Sequence, residues 1–566
     1  MKKYFAFLLF LLVIFGIFIR LYNLNWGSPF YFHPDERNIA SAITQLSFPK
    51  QLNPNFFAYG TVPIYVIFFS GLIINLFKKT SITFEQAIIL SRLFSFILSV
   101  LLIPSVYVLA KKINPKSKFW AVFLTTTCVG LIQFSHFGTF EMWLTFFSVW
   151  LLYFCLKILK ELTISNMVIA GMITGILIGI KVSSIVLLGL PVISIIISLH
   201  NHHTYFKSLI FNLRIIKVKI IIPNLIYFIN LLKFFPLYFI ITGLIYILTN
   251  PFVFLDPISF KNSMTYESSV ALGSLPVFYT GSFLKTIPIL FQFTFVYPFL
   301  LNPFLSVMFI PSFIYISIRA IQTKNKTYLL LIAFYILLFF SQAFLFVKWI
   351  RYMVPTLPFM IIILGIALSD FLGNIKKKIM SQSISFSIIF ICIIYAVSYF
   401  LSTYFNNYTA VTASNFANKN IPYNAAVLSE VYDLGIIPFN QYFHHIDLSN
   451  TYDLDNGDPT IKNNLEQSLV THEYIILPSQ RVIRSRVLNK NNFPNGFIFY
   501  AKLFNGSLGF TKIYQTPCSI ICKITYMGDP IFHVEETASV FDRPTVFIFK
   551  KTRQLSFNEY RRELGN

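Results

Sequence analysis

Residues 86–110 read QAIILSRLFSFILSVLLIPSVYVLA, and Lys111-Lys112 follow directly. An α-helix needs roughly 20 mostly apolar residues to cross the hydrocarbon core of a bilayer, and this stretch is long enough to do so. Connections on the cytoplasmic side of a membrane are rich in lysine and arginine. The stretch therefore predicts a membrane-spanning helix whose C-terminal end faces the cytoplasm.

Ten further stretches of similar composition lie on either side of it. They are residues 4–20, 119–135, 142–158, 166–180, 183–199, 234–250, 295–318, 327–347, 353–372 and 385–404. The connections that we assign to the cytoplasm are all basic, with lysine or arginine within 111–118, 157–160, 207–219, 319–326 and 376–378. With eleven spans and a cytoplasmic N-terminus, everything after residue 404 lies outside the cytoplasm.

The composition supports a polytopic α-helical membrane protein. Of 566 residues, 56% are hydrophobic and only 12% are charged, and the mean hydropathy is +0.67, outside the range of soluble globular proteins. The net charge of +23 arises mainly because basic residues are concentrated in the cytoplasmic connections. Attraction to anionic lipid is a secondary explanation. The apolar N-terminus resembles a signal peptide, but Arg20-Leu21-Tyr22 offers no small-residue cleavage site, so we expect a retained helix.

Residues 21–85 are predicted to form one large outer loop. The apolar stretch 61–77 would invert every later connection if it spanned the membrane, so we expect a helix that lies in the outer interface or re-enters from it. A shorter amphipathic helix is expected over residues 37–46, where apolar residues recur at helical spacing. Residues 208–232 are apolar but interrupted by charges and a proline, and we expect them to be cytoplasmic or interfacial.

From residue 406 onward the composition is that of an ordinary soluble domain. Short runs predict strands at 426–428, 474–477, 520–524 and 545–549, and helices near 411–419 and 461–469. The chain thus divides into a membrane domain, residues 1–404, and a small extracytoplasmic α/β domain, residues 405–566. Cys518 and Cys522 are only four positions apart on a predicted strand, and we do not expect them to form a disulfide readily. Arg481, Arg484 and Arg486 are expected to form a solvated basic patch unless an acidic acceptor docks there.

Acidic residues are rare in the membrane domain, and most of them fall in the outer loops. A hydroxyl that attacks the anomeric carbon of a sugar needs a general base, which a carboxylate supplies. Asp35 is our candidate base, with Glu36 and Glu141 as carboxylates that orient the acceptor. Asp35 and Glu141 are also the candidate ligands if a divalent metal is used. The structural alternative for Asp35 and Glu36 is that acids after a proline complement a helix dipole.

Further outer residues are candidates for substrate binding. Lysine and arginine can offset the charge of a phosphate leaving group, and amide, acidic and tyrosine side chains suit a sugar. The candidates are His136, Lys181, Asn250, Asp256, Tyr279, Lys348, Arg351 and Tyr352. Each candidate also has a structural alternative. The turn that contains His136 could be a capped turn, and Lys181 could snorkel to the interface. Asn250, Asp256 and Tyr279 could belong to an ordinary polar loop, and the segment with Lys348, Arg351 and Tyr352 could be an interfacial anchor.

Four motifs in this order resemble a known family. They are Asp35-Glu36, the turn from His136 to Glu141, Thr249-Asn250-Pro251 followed by Asp256, and the segment from Lys348 to Pro355. Over residues 1–404 they are similar to the polyprenyl- or dolichyl-phosphate-sugar-dependent glycosyltransferases of the C superfamily, in particular the protein O-mannosyltransferase-like group, and to the lipid A aminoarabinose transferase.

The resemblance implies an extracytoplasmic active site and interfacial helices in the first outer loop. It also implies that Asp35 is the catalytic acid residue with Glu36 as its companion, and that Lys348 and Arg351 lie near the lipid phosphate. Glu141 stands where relatives commonly carry aspartate, so its role follows less directly.

We therefore expect a glycosyltransferase of the cell membrane. It would move a sugar, with mannose as the expected one, from a polyprenyl-phosphate donor to a protein or envelope-glycan hydroxyl outside the cytoplasm, with inversion. Its expected partners are this donor, the acceptor and membrane lipid, with no nucleic acid, and a divalent metal is the one cofactor considered. A transporter or flippase of lipid-linked sugars and a membrane-anchored scaffold are the alternatives.

Overall fold

The computed structural model describes residues 2–76, 80–201, 206–213, 216–223, 225–431 and 436–565. Within them a helical membrane domain is followed by a smaller α/β domain that packs on it. Phe77 and Arg214, which belong to two of the predicted segments, lie outside the described residues.

The described part of the membrane domain is helical apart from one hairpin. Its helices are α1 (Lys2–Leu21), α2 (Pro34–Thr44), α3 (Thr61–Asn75), α4 (Phe84–Ile113), α5 (Lys118–Thr127), α6 (Val129–His136), α7 (Glu141–Lys160), α8 (Ile164–Ile180), α9 (Gly189–Asn201), α10 (Leu225–Thr249), α11 (Phe252–Leu255), α12 (Pro257–Leu272), α13 (Tyr297–Leu300), α14 (Pro303–Gln322), α15 (Lys326–Ala343), α16 (Leu357–Asn374) and α17 (Lys378–Thr403). Strands β1 (Phe206–Leu213) and β2 (Ile216–Pro223) pair antiparallel.

The number of apolar helices confirms the predicted fold class. Among the described residues, eight helical segments are long and apolar enough to cross a membrane, or nine if α5 and α6, which meet at an angle of 47°, form one span. Shorter apolar helices lie at Leu9–Leu21, Thr61–Asn75 and Ile164–Ile180. Each of the eleven predicted spans overlaps a helix of one of these kinds, so the chain is a multi-pass membrane protein.

Two predicted spans differ in detail. The span expected at 295–318 is broken, because α13 ends at Leu300 and the side chain of Asn302 caps α14 by accepting a hydrogen bond from the Leu305 N–H (2.8 Å). Helix α10 begins at Leu225 rather than near residue 234, so the polar residue Asn230 lies within the helix and does not end it.

The segment between α1 and α4 contains both expected helices. Helix α2 packs against α3 and α4 and buries Ile39 and Ile43. Helix α3 begins where the Gly60 N–H donates to the Ile180 carbonyl (2.9 Å), at the end of α8. A Cβ atom at Gly60 would collide with the backbone of Gly179, so the close approach of these two segments requires glycine. Helix α3 is thereby packed against the bundle.

The C-terminal domain carries a mixed five-stranded sheet. Its elements are α18 (Thr409–Asn420), β3 (Val427–Glu430), β4 (Ile446–Ser449), α19 (Pro459–Thr471), β5 (Tyr474–Leu477), α20 (Arg481–Leu488), α21 (Pro494–Phe504), β6 (Phe510–Gln515), α22 (Ile520–Thr525), β7 (Phe547–Lys551) and α23 (Phe557–Glu563). The strand order is β4-β3-β5-β7-β6; the first three strands are parallel, and β7 runs antiparallel to both of its neighbours.

The expectation for residues 520–524 is wrong, because they form helix α22 and not a strand. Ser519 caps this helix by accepting a hydrogen bond from the Cys522 N–H (3.3 Å). The helical turn brings the Cα atoms of Cys518 and Cys522 to 5.3 Å, and the two form a disulfide. In an extended strand their Cα atoms would lie about 13 Å apart, too far for a disulfide. The wrong prediction of a strand therefore excluded this bond.

Candidate active site

Asp35 and Arg351 meet at one end of the helical bundle. Pro34 occupies the first helical position of α2, and its fixed φ favours the start of a helix, so Asp35 lies in the first turn. Arg351 lies in the 3₁₀ helix Ile350–Thr356, which precedes α16. The Arg351 guanidinium donates to the Asp35 carboxylate, and both side chains are about one-fifth exposed, at 20% and 21%.

The ionisation of Asp35 depends on this arginine. Burial alone would raise the pKa of Asp35, but Arg351 and, with smaller effects, His33, Lys181 and Arg481 outweigh burial. The pKa of Asp35 therefore lies below its usual value. Asp35 is a carboxylate at neutral pH while Arg351 remains beside it.

A small cavity of about 40 Å³ lies next to this pair. Its polar lining residues are Glu141, Ser148, Lys181, Ser183, Ser184, Ser341, Gln342, Arg351 and Tyr352. Within the described structure, the Oε2 atom of Glu141 and the Oγ atom of Ser148 are buried and have no hydrogen-bond partner. Because buried polar atoms nearly always have partners, these two atoms are available to a water molecule or a polar ligand.

Lys181 is the second cation of the cavity. It follows the last residue of α8, and its Nζ lies 4.4 Å from the centre of the Tyr352 ring. Burial lowers the pKa of Lys181 to about 8, against the opposing effect of the Glu141 carboxylate. The cavity thus combines two cations with the carboxylate of Glu141, and the Asp35 carboxylate lies beside it, paired with Arg351.

Glu36 has a different position from the one expected of a catalytic companion. Both of its carboxylate oxygens accept from the buried Arg92 guanidinium, at 2.9 and 2.6 Å, and Oε1 also accepts from the Gly138 N–H at 2.6 Å. Arg92 donates in addition to the carbonyls of Leu24 and Trp26. Glu36 therefore joins α2 to α4 and to the turn before α7, and it does not face the cavity.

Four other candidates hold the fold together instead of lining the cavity. His136 is buried, and its ring nitrogens face the carbonyls of Ile132 (2.9 Å) and Tyr22 (3.0 Å). Asn250 accepts from the Thr61 N–H (2.8 Å) and thereby connects α10 to α3.

Asp256 and Lys348 are the other two. Asp256 caps α12 by accepting from the Ser259 N–H (3.2 Å). Lys348 donates to the Phe346 carbonyl (2.9 Å), and its ammonium is not part of the cavity lining. The sequence identified these positions as polar but could not show which partners they meet.

A metal site of three side chains does not form among the described residues. No group of three or more His, Cys, Asp or Glu side chains is placed to hold a metal ion there. Of the two carboxylates considered as ligands, Asp35 is already paired with Arg351. A metal held by Asp35 and Glu141 would therefore compete with Arg351 for the Asp35 carboxylate.

The C-terminal domain contributes residues that the sequence did not point to. Arg481 pairs with Glu536 (3.1 Å), and its guanidinium lies 5.0 Å from the ring centre of Tyr279, which is 6.3 Å from that of Trp349. Glu535 accepts from the Ile350 N–H (3.0 Å), next to Arg351. The C-terminal domain thus reaches the segment that carries Arg351.

The expectation of a solvated basic patch is wrong. Arg481, Arg484 and Arg486 are all buried. Arg486 donates to the Phe278 carbonyl of the membrane domain and to the Tyr452 carbonyl of its own domain. No local sequence signal could have revealed this, because Glu536, which pairs with Arg481, and Phe278, which accepts from Arg486, are distant in the chain.

Comparisons with solved structures agree with this architecture. The archaeal oligosaccharyltransferase AglB from Archaeoglobus fulgidus, in complex with an inhibitory peptide and a dolichol-phosphate, is similar with a TM-score of 0.50 and 13% identity over 97% of this chain and 89% of that chain. The same enzyme tethered with an acceptor peptide containing the NVT sequon has a TM-score of 0.48, also at 13% identity over 97% and 89% of the two chains.

ArnT from Cupriavidus metallidurans bound to undecaprenyl phosphate is similar with a TM-score of 0.46 and 12% identity over 87% of this chain and 95% of that chain. No protein-family model and no curated protein matches the chain by sequence. At this level of identity, the likeness to AglB shows the fold. The predicted fold class, a polytopic helical membrane protein with a C-terminal α/β domain, is confirmed, and it is the fold of AglB.

Proposed function

We propose that this protein is a membrane glycosyltransferase that moves a sugar from a polyprenyl-phosphate donor to a hydroxyl of a protein or envelope glycan. The observation that carries the proposal is the Asp35–Arg351 ion pair beside a cavity that also contains Lys181 and Glu141. A base and two cations at one end of a membrane bundle are the groups that this reaction needs. The dolichol-phosphate of AglB and the undecaprenyl phosphate of ArnT add support for a lipid-linked donor.

The reaction is a single displacement in which Asp35 is the base. Its carboxylate accepts the proton of the acceptor hydroxyl while the acceptor oxygen forms a bond to the anomeric carbon. The bond from that carbon to the phosphate oxygen breaks, and polyprenyl phosphate leaves with the electron pair. Attack opposite to the leaving group inverts the anomeric carbon, as in inverting glycosidases.

Arg351 and Lys181 offset the negative charge that develops on the leaving phosphate. A guanidinium can bind a phosphate through two parallel hydrogen bonds, and a lysine adds a point charge. Glu141, whose Oε2 atom has no partner among the described residues, orients the acceptor hydroxyl or a sugar hydroxyl. Mannose is the first sugar to test.

The site is proposed to face away from the cytoplasm. The basic connections of the membrane domain lie on the opposite side from it in the eleven-span topology. The Cys518–Cys522 disulfide of the C-terminal domain supports the same orientation, because disulfides persist in oxidising compartments.

The test uses the purified full chain in proteoliposomes that contain a polyprenyl-phosphate sugar. The expected result is release of polyprenyl phosphate together with sugar attached to an added acceptor peptide or glycan. Movement of intact donor across the bilayer without release would contradict the proposal and favour a flippase. A parallel reaction with each of several sugars identifies the donor.

A further inference from the structure

Helix α22 of the C-terminal domain carries three outward isoleucines. Ile520, Ile521 and Ile524 are exposed by 78%, 39% and 43%, while Cys522 and Thr525 on the opposite face are buried. The Cys518–Cys522 disulfide closes this short turn. An apolar face of this kind on a soluble domain would be costly in water.

The position of α22 relative to helix α17 shows what covers this face. Tyr395 of α17 donates to the Thr525 carbonyl (3.0 Å), and Ser402 donates to the Thr525 hydroxyl (3.3 Å). Helix α17 has 26 residues, and a helix needs roughly 20 to cross the hydrocarbon core, so every stretch of that length within α17 includes Tyr395. Thr525 therefore lies at the level of the membrane.

The exposed surface of α17 continues onto α22. Phe386, Phe390 and Ile394 are exposed along α17, as expected of a lipid-facing stripe, but from Tyr395 onward this helix is largely buried. The burial begins where α22 packs on α17. The isoleucines of α22 thus extend the lipid-facing stripe of the span, while Lys523 between them is exposed and can reach the lipid headgroups.

We propose that α22 is a membrane anchor of the C-terminal domain, which inserts Ile520, Ile521 and Ile524 into the lipid of the outer leaflet. The anchor holds this domain against the bundle independently of any substrate. It goes beyond the proposed function, because it would exist in a transporter as well as in a transferase.

The test is photocrosslinking of the full chain in nanodiscs of phosphatidylcholine, a fraction of which carries a diazirine in the acyl chain. We expect lipid adducts on the peptide that contains Ile520 to Ile524, as on residues 386–394 of α17. The control is Leu448 on strand β4, which is 56% exposed and should carry no adduct. Adducts on α17 without adducts on α22 would overturn the proposal.

Two variants sharpen the test. The double variant Ile520→Asp, Ile524→Asp should lower the α22 adducts at least about tenfold and leave those on α17 unchanged, because the membrane interior excludes the charged aspartate side chain. Leu448→Asp should change neither set. If the α22 adducts disappeared only at high protein concentration, a second copy of the chain would cover this face. That result would also overturn the proposal.

Discussion

Asp35 and Arg351 are separated by 316 positions in the sequence and form an ion pair beside the cavity. The pairing keeps Asp35 ionised but lowers its pKa, and a weakly basic carboxylate is a poor proton acceptor. A donor phosphate that binds Arg351 would draw the guanidinium away from Asp35 and restore the basicity of that carboxylate. In the proposed reaction, donor binding and activation of the base would thereby be coupled through one arginine.

Replacing Asp35 by asparagine should abolish most of the sugar transfer. Asp35→Asn keeps the shape of the side chain but cannot take up the acceptor proton, so we expect kcat to fall by about 10²-fold or more. Binding of polyprenyl phosphate should persist, because Arg351 loses a competing partner. The matched control is Asp370→Asn, which removes the partner of Arg319 in a separate ion pair and should leave transfer unchanged. Full activity of Asp35→Asn would remove Asp35 from the mechanism.

Deprotonation of Lys181 should determine the pH above which kcat/KM for the donor falls. The pKa of Lys181 is about 8 because the ammonium is buried, and only the protonated form attracts a phosphate. We therefore expect kcat/KM for the donor to fall as the pH rises above about 8, since this ratio reports the ionisation of the free enzyme. Lys181→Arg should retain activity and shift that limit upward, because arginine keeps its proton. An unchanged profile in Lys181→Arg would assign the limit to another group.

The buried Glu36–Arg92 pair should matter for folding. Both side chains are fully buried, and removal of one partner leaves an uncompensated charge, at a cost of about 3–5 kcal/mol. Arg92→Leu should lower the apparent Tm of the purified protein and its abundance in membranes. As a control, Arg319→Ala breaks a partly exposed pair and should cost about 1 kcal/mol or less. Equal stability of the two variants would contradict the structural role of Arg92.

Glu535 should act on donor binding from the C-terminal domain. It accepts from the Ile350 N–H next to Arg351, and losing this acceptor leaves a buried N–H unpaired, which costs about 1–3 kcal/mol. Glu535→Ala should therefore raise the donor KM about tenfold, as should Glu535→Asp, whose shorter side chain cannot reach Ile350. Glu535→Gln keeps an acceptor oxygen and should rescue binding.

The control for Glu535 is Glu430→Ala, which removes another buried carboxylate of the same domain. Glu430 accepts from the Tyr500 hydroxyl (2.7 Å) and touches no residue of the Arg351 segment. It should lower stability without changing the donor KM. If Glu535→Asp and Glu430→Ala changed the KM equally, Glu535 would have no specific role.

Much of the architecture could be predicted, because bilayer thickness and charge asymmetry constrain short stretches of sequence. The length of an apolar run and the charges beside it can be recognised without knowing the tertiary structure. Apolar runs and their basic flanks predict the spans, and the spacing of Ile39 and Ile43 predicts α2. Asp35, Glu141, Lys181 and Arg351 could be nominated because each is a charge at the end of an apolar run, where charge is costly.

The roles of the other residues could not be predicted, because they depend on partners that are distant in sequence. Asn250 meets Thr61 and Glu36 meets Arg92 only after the helices pack, so their structural roles could not be separated from substrate binding. The alternation in residues 520–524 favoured a strand, but the Ser519 cap and the disulfide select a helix. The buried arginines of α20 look solvated until Glu536 is placed beside them.

The hydrogen bond between Glu535 and Ile350 also has a consequence for biosynthesis. A chain still emerging from the ribosome has all of its membrane helices, together with Asp35 and Arg351, long before residue 535 is made. Such a nascent chain can be inserted but has no properly held arginine. With the proposed function, such a chain would be inactive, and a premature stop codon after α17 would yield an inserted but inactive product.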